Sequence, residues 1–150
     1  MALTYQKERF ENIMGELPEL FYVHWVELES DKEDVPLEVD WVRYLKAEAL
    51  GKLHILTARA DKKLVGYFFV YVDTTSQNKS TLKAASDVMY LDPAYRKGTE
   101  GWKFIDAIKQ FTRDLGAKKL YIVQKAKGNI APLLVRKGLS LEEETYSCLL

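Results

Sequence analysis

The chain has little with which to staple itself or to hold a metal: one cysteine, Cys148, and two histidines in 150 residues. A lone cysteine cannot form an internal disulfide, and no Cys/His cluster has metal-ligand spacing, so neither a disulfide scaffold nor a metal site is expected. Cys148 reads as a small core or strand residue. An excess of one charge is also absent. The 22 basic residues balance 22 acidic ones, which argues against broad attraction to nucleic acid or an anionic membrane, though not against a local basic groove. No apolar run reaches membrane-spanning length, and the opening MALTYQKERF lacks the basic-then-apolar order of a secretion signal, so the cytoplasm is the expected compartment. No repeat or linker divides the chain. With 47% hydrophobic and 29% charged residues, residues 1–150 suffice for one domain with a real core and are short for two.

Hydrophobic periodicity gives an α/β pattern. Thr4 can cap a first helix with apolar positions at Phe10, Ile13, Met14 and Leu17, ending near Pro18. Leu20–Leu28 reads as a second, shorter helix, although its aromatic and β-branched content also tolerates a strand; Ser30–Pro36 reads as an acidic loop, and Asp40 as the cap of a third helix, Trp41–Leu50, stopped by Gly51. Leu53–Ala58 and Leu64–Val72 form an antiparallel hairpin around the polar turn Ala60–Lys63. Thr74–Ser80 reads as a loop and Leu82–Leu91 as the next strand. Phe104, Ile108, Phe111 and Leu115 step by four, three and four residues, with Ile105 widening the stripe, which predicts a helix over Gly101–Leu115 ended by Gly116. Leu120–Val123 is a short buried strand. Asn129 caps a helix to Arg136 with Pro132 in its first turn, and Leu139–Leu150 closes the chain as one or two strands.

The stretch DVMYLDPAYRKGTEG, Asp87–Gly101, carries the strongest chemical signal. An apolar strand enters a Pro-marked turn and then a basic, glycine-containing loop that opens a helix. The first N–H groups of a helix lack internal partners and the helix dipole favours negative charge there, so such a loop suits a diphosphate. Gly98 and Gly101 allow close approach of the backbone, and Arg96 and Lys97 add charge. An ordinary strand–turn–helix joint with a surface Arg-Lys pair fits the same residues.

Tyr95-Arg96-Lys97-Gly98-Thr99-Glu100-Gly101 resembles the acetyl-CoA pyrophosphate loop of the GNAT N-acetyltransferase superfamily, Gln/Arg-x-x-Gly-x-Gly/Ala. Arg96 fills the first position and Gly101 the last; Thr99 replaces the middle glycine, and Gly98 stands one residue early. Tyr90-Leu91-Asp92-Pro93 resembles the family's strand end, and Asn129 with Lys137-Gly138-Leu139 its closing region. The resemblance runs from about Lys63 to the C-terminus, and the N-terminal HWVE, PLEVDWVRYL and LVGY segments are similar to bacterial and phage members. It implies a single GNAT-like domain with a mixed, mostly antiparallel central sheet flanked by helices. It also implies acetyl-CoA as co-substrate, with thioester and pantetheine held by the main chain of Met89, Tyr90 and Leu91 and the diphosphate by Arg96, Lys97, Gly98, Thr99, Gly101 and Trp102; Asn129 belongs to the same set.

The implied reaction is transfer of acetyl to a primary amine of a small molecule or protein. A lysine-like amine, with pKa ~10.4, is neutral in about one molecule in 2,500 at pH 7, so a base must take its proton and an acid must meet the departing thiolate. Where many members carry a Glu on the strand, this chain has Ala85. Asp87, two residues on, is the preferred base, with Glu27 and His24 as rivals. The family's Tyr in the last helix is missing from Leu133-Leu134-Val135-Arg136; Tyr146, Tyr121 or solvent would serve as acid. Two other readings stand beside this one: a phage-type nucleic-acid base-modifying relative with a groove of Lys79, Lys83, Lys125 and Lys127, and a non-catalytic CoA-binding protein. The apolar SCLL segment offers an edge for a homodimer.

Overall fold

The computed structural model describes residues 2–150. A five-stranded sheet runs in the order β1 (Thr4–Lys7), β2 (Leu53–Ala60), β3 (Lys63–Thr75), β4 (Asn78–Leu91), β5 (Lys119–Tyr121); all neighbours are antiparallel except β4 and β5. Helices α1 (Phe10–Ile13), α2 (Leu17–Leu28) and α3 (Trp41–Ala49) cover one face, and α4 (Glu100–Asp114) and α5 (Ala131–Arg136) cover the other. This is the expected mixed, mostly antiparallel sheet flanked by helices.

The central strand β3 explains the layering. Its run Leu64–Val70 is buried throughout, as a strand covered on both faces must be. Val65, Phe68 and Val70 pack towards Phe104, Ile105 and Ile108 of α4, whereas Leu64, Tyr67 and Phe69 meet Phe10, Ile13 and Phe21. The second cluster is aromatic: Phe21 stacks on Trp41 at 6.0 Å and meets Tyr67 edge-on at 5.1 Å, and Tyr44 meets Phe69 edge-on at 5.3 Å. Such pairs add about 0.5–1.5 kcal/mol each beyond burial.

Several boundaries differ from the sequence reading. Thr4 does not cap a helix; Thr4–Lys7 is a strand paired with Leu56–Arg59. The Tyr5 ring stacks on Phe104 at 5.6 Å, a contact with a residue 99 positions on that local periodicity cannot register. The stripe Phe10, Ile13, Leu17 is buried as expected, but two helices share it, and Pro18 lies in the first turn of α2 instead of ending α1. Its fixed φ and missing donor cost nothing there. Thr74–Ser80 is a tight hairpin tip, since β3 runs to Thr75 and β4 starts at Asn78. Asn129 caps nothing: the N-cap of α5 is Ile130. Residues 139–150 form no strand, so SCLL offers no sheet edge; Cys148 is exposed rather than buried, with no strand around it. Asp40 does cap α3, accepting the Arg43 amide at 2.9 Å.

Gly66 is where the backbone has least room. A Cβ there would sit 2.8 Å from the Tyr90 carbonyl oxygen, 2.9 Å from Leu91 Cδ1 and 3.2 Å from the Ala58 methyl. The β3–β4 register at Gly66↔Leu91 therefore requires glycine. Gly66→Ala is expected to lower stability by about 1–3 kcal/mol through overpacking, read as a lower urea midpoint with an unchanged m-value.

Candidate active site

Strand β4 is paired unequally on its two edges. It follows β3 as far as Leu91, but meets β5 only at Lys83↔Lys119, Ala84↔Leu120 and Ala85↔Tyr121. The next link is a side chain: the Ser86 hydroxyl accepts the Val123 amide at 2.9 Å. Beyond it the strands part, and the edge of β4 over Asp87–Leu91 has no strand beside it. Met89, Tyr90 and Leu91 lie on this stretch. The Leu91 carbonyl accepts Arg96 Nε at 2.6 Å.

A bulge coincides with the parting. Phe69 pairs with Val88 and Val70 with Ser86, leaving Asp87 as the extra residue. Strand alternation is reset there, as bulges do when they re-aim a side chain. Asp87 and Val88 thereby both line a cavity of about 530 Å³ beneath α2 and α3. Asp87 Oδ2 accepts the Tyr44 hydroxyl at 2.6 Å. Burial first, and then the Asp87 carboxylate, push the Tyr44 phenol well above its ordinary range, so Tyr44 stays a donor that orients the carboxylate. Tyr71, which also lines the cavity, does not stand out in the sequence as part of a site, and Tyr44 reads there as a core aromatic residue or a wall of the acceptor site. The one available signal is the spacing of Tyr44 from Trp41 on the buried face of α3.

His24 lines the same cavity. Its Nδ1 lies 2.7 Å from the Tyr67 hydroxyl, and its ring stacks on Tyr90 at 4.8 Å. Burial lowers its pKa to about 4. Glu27 is engaged elsewhere: Arg96 Nη1 and Nη2 donate to its two carboxylate oxygens at 2.7 and 3.0 Å. Those bonds hold its carboxyl below the usual range, which makes it a weak proton acceptor.

The loop between β4 and α4 uses its side chains differently from the sequence reading. Arg96 lies over the Tyr90 ring, 5.4 Å from its centroid, and pairs with Glu27 rather than contributing free charge. Gly98 has φ +66, a conformation that favours glycine. The first bond of α4 is Lys103 N–H to the Thr99 carbonyl, so the Gly101 and Trp102 amides have no acceptor within the helix. A Cβ on Gly101 would meet Leu133 of α5 at 3.3 Å, so its missing side chain serves helix packing. Trp102 is 41% exposed and carries the Lys137 ammonium 3.9 Å from its ring centroid. Lys97 and Asn129 are exposed. Two buried polar atoms have no partner among the described residues: Tyr90 Oη on β4 and Gln124 Oε1 on the segment leaving β5.

Of the remaining candidates, Tyr121 pairs with Ala85 where β4 and β5 part, and the others are not gathered at this site. Tyr146 is 85% exposed, and its hydroxyl donates to Glu144 two residues away; nothing brings it to β4. Tyr121 lies under the Lys119 ammonium at 5.0 Å. Of the four lysines considered for a basic groove, Lys125 and Lys127 both engage Glu29, and Lys83 bonds Asn78. Among the described residues no group of three or more His, Cys, Asp or Glu could hold a metal ion, and no helix is long and apolar enough to cross a membrane.

The His24 environment has a pH signature. In the folded chain the ring stays neutral down to about pH 4, while its ordinary value is 6.5. The unfolded state then binds more protons between those values, so this contribution is complete above about pH 6.5 and is lost as the pH falls towards 4. Allowing for partial exposure, the loss is on the order of 2 kcal/mol. His24→Asn is expected to flatten the stability–pH profile in that window, measured by urea titration at successive pH values; an unchanged slope would mean that the ring protonates freely in the folded protein.

No protein-family model and no curated protein matches the sequence. Solved structures do. A ribosomal-protein-alanine N-acetyltransferase from Brucella melitensis biovar Abortus 2308 matches with a TM-score of 0.76 at 15% identity, over 100% of this chain and 99% of that one. A predicted acetyltransferase with acetyl-CoA from Clostridium acetobutylicum matches with a TM-score of 0.70 at 17% identity, over 99% and 96%. A GNAT family acetyltransferase from Staphylococcus aureus subsp. aureus USA300_TCH1516 matches with a TM-score of 0.66 at 14% identity, over 100% of both chains. With full coverage at such low identity the likeness lies in the architecture, and the chain has the GNAT acetyltransferase fold.

Proposed function

We propose that this protein is a cytoplasmic acetyl-CoA-dependent N-acetyltransferase acting on a primary amine. The observation that carries this reading is the parting of β4 from β5 at the point where a carboxylate bulges into a cavity. Met89 and Leu91 on the free stretch of β4 pack in the cluster that holds Phe104 and Ile105 of α4, and Asp87 and Val88 line the cavity on the other face. The edge of β4 at Met89 and Tyr90 that has no strand beside it, the left-handed turn at Gly98 and the free amides of Gly101 and Trp102 support a pantetheine arm and its diphosphate there.

In the reaction an ammonium loses its proton to a base, the amine nitrogen attacks the thioester carbonyl carbon, and the C–S bond breaks. The products are an acetamide, the free thiol of CoA and the proton released at the start. Asp87 is the base, acting directly or through a water, with Tyr44 holding its carboxylate by one oxygen. Main-chain amides at the β4 edge steady the carbonyl oxygen as it gains charge. The thiolate takes its proton from solvent; Tyr146 is exposed and bonded to Glu144.

Acetylation of an amine panel with labelled acetyl-CoA tests the reading. Asp87→Asn is expected to lower turnover by ~10²–10⁴ with CoA affinity almost unchanged, and Tyr44→Phe by roughly tenfold, the worth of one hydrogen bond to a charged group. A structural Asp87 gives the opposite result, lost stability with turnover within twofold of wild type. Gly98→Val is expected to weaken CoA binding about tenfold in a thermal-shift titration, because a β-branched residue resists positive φ. Gly101→Val is expected to reduce stability through Leu133 instead. A protein that ignores millimolar CoA would end the proposal.

A further inference from the structure

If the protein is the acetyltransferase proposed above, the cavity beneath α2 and α3 carries its own indication of which acceptor enters it. Half of its apolar lining is rings, from Phe21, Trp25, Tyr44 and Tyr71, and the other half is Leu and Val side chains. Its ionisable lining is unbalanced: Glu29, Glu38, Asp40 and Asp87 face it against Arg43 and Lys125, in a chain whose total charge is zero. Lys125 lies 3.8 Å from Glu29, and His24 is neutral at pH 7. Glu38 makes no hydrogen bond or ion pair among the described residues, and Asp87 receives only the Tyr44 hydroxyl. Trp25 already attracts a cation, the Lys32 ammonium, 6.0 Å from its ring centroid. Faces of aromatic rings and carboxylates share one preference, for ammonium groups over anions.

The geometry points to a small acceptor that carries at least two ammonium groups separated by an apolar spacer. One ammonium meets Asp87 beside the β4 edge, where it loses its proton and is acetylated. The second stays charged near Glu38, while the spacer lies against the rings. A volume of about 530 Å³ is that of a small-molecule pocket. Amines that carry a phosphate or carboxylate would meet unpaired Glu38 and are disfavoured.

A series matched in length isolates the distal charge: hexamethylenediamine, hexylamine and aminocaproate. Binding is measured by calorimetry and Trp fluorescence without acetyl-CoA, and acetylation is measured separately. The diamine is expected to bind at least about tenfold more tightly than aminocaproate at low ionic strength, with hexylamine between, and the gap is expected to narrow in high salt. Glu38→Gln is expected to remove most of the difference between diamine and hexylamine, with an unchanged melting profile showing that the fold survives. Equal affinity for diamine and aminocaproate, no binding of the diamine at millimolar concentration, or a preference insensitive to Glu38→Gln overturns the inference. A diamine that binds with the expected preference but is never acetylated leaves the cavity's charge selection intact and counts against the acetyltransferase reading instead.

Discussion

The arrangement depends on β4 being satisfied along one edge and abandoned along the other. Full pairing with β3 fixes the strand in the middle of the molecule, where it cannot slip without exposing Tyr90 and Leu91. Three residues of pairing with β5 hold the sheet together and then stop. Main-chain donors and acceptors cannot be left unanswered in a protein interior. A bare edge in the middle of a sheet therefore survives only where water or a ligand can reach it. The Asp87 bulge uses the same loss of regularity to turn a carboxylate towards α3.

The two sides of the sheet do different work around that edge. Towards α4 the packing is mainly aliphatic, and a helix start supplies amides. Towards α2 and α3 it is built of rings, whose size leaves a cavity rather than closing it, and whose hydroxyls hold polar groups in an otherwise apolar setting. Tyr44 on Asp87 and Tyr67 on His24 are the two instances. The Arg96–Glu27 pair ties the sides together, because one guanidinium bonds the β4 carbonyl of Leu91 and both oxygens of a carboxylate on α2. Partly exposed, that pair is worth little as stability; its geometry sets the position of the loop ahead of α4 relative to α2.

Elements whose own periodicity outweighs their surroundings are legible in the sequence. The α4 stripe, the α3 cap at Asp40 and the apolar run of β3 belong to this class because each is a local pattern. What is not legible depends on partners far along the chain. Thr4–Lys7 is a strand because β2 lies beside it, and Arg96 is neutralised because Glu27 stands 69 residues earlier. The Asp87 bulge is invisible in a string of letters, although Asp87 itself, two residues after Ala85, lines the cavity. The C-terminal residues have the composition of strands, and no neighbouring edge receives them.

The strand order also bears on how the molecule opens. β2, β3 and β4 are successive hairpins, so their pairings close short loops and carry little entropic cost. β1 reaches β2 only across three helices, and β5 reaches β4 only across α4. Long closures form late and are the first to be given up when a protein fluctuates. Amide protons of the central hairpins should accordingly exchange only on global unfolding, while those along the β4–β5 junction exchange through smaller openings. The place where the sheet parts is thus also the place where the molecule can breathe without coming undone.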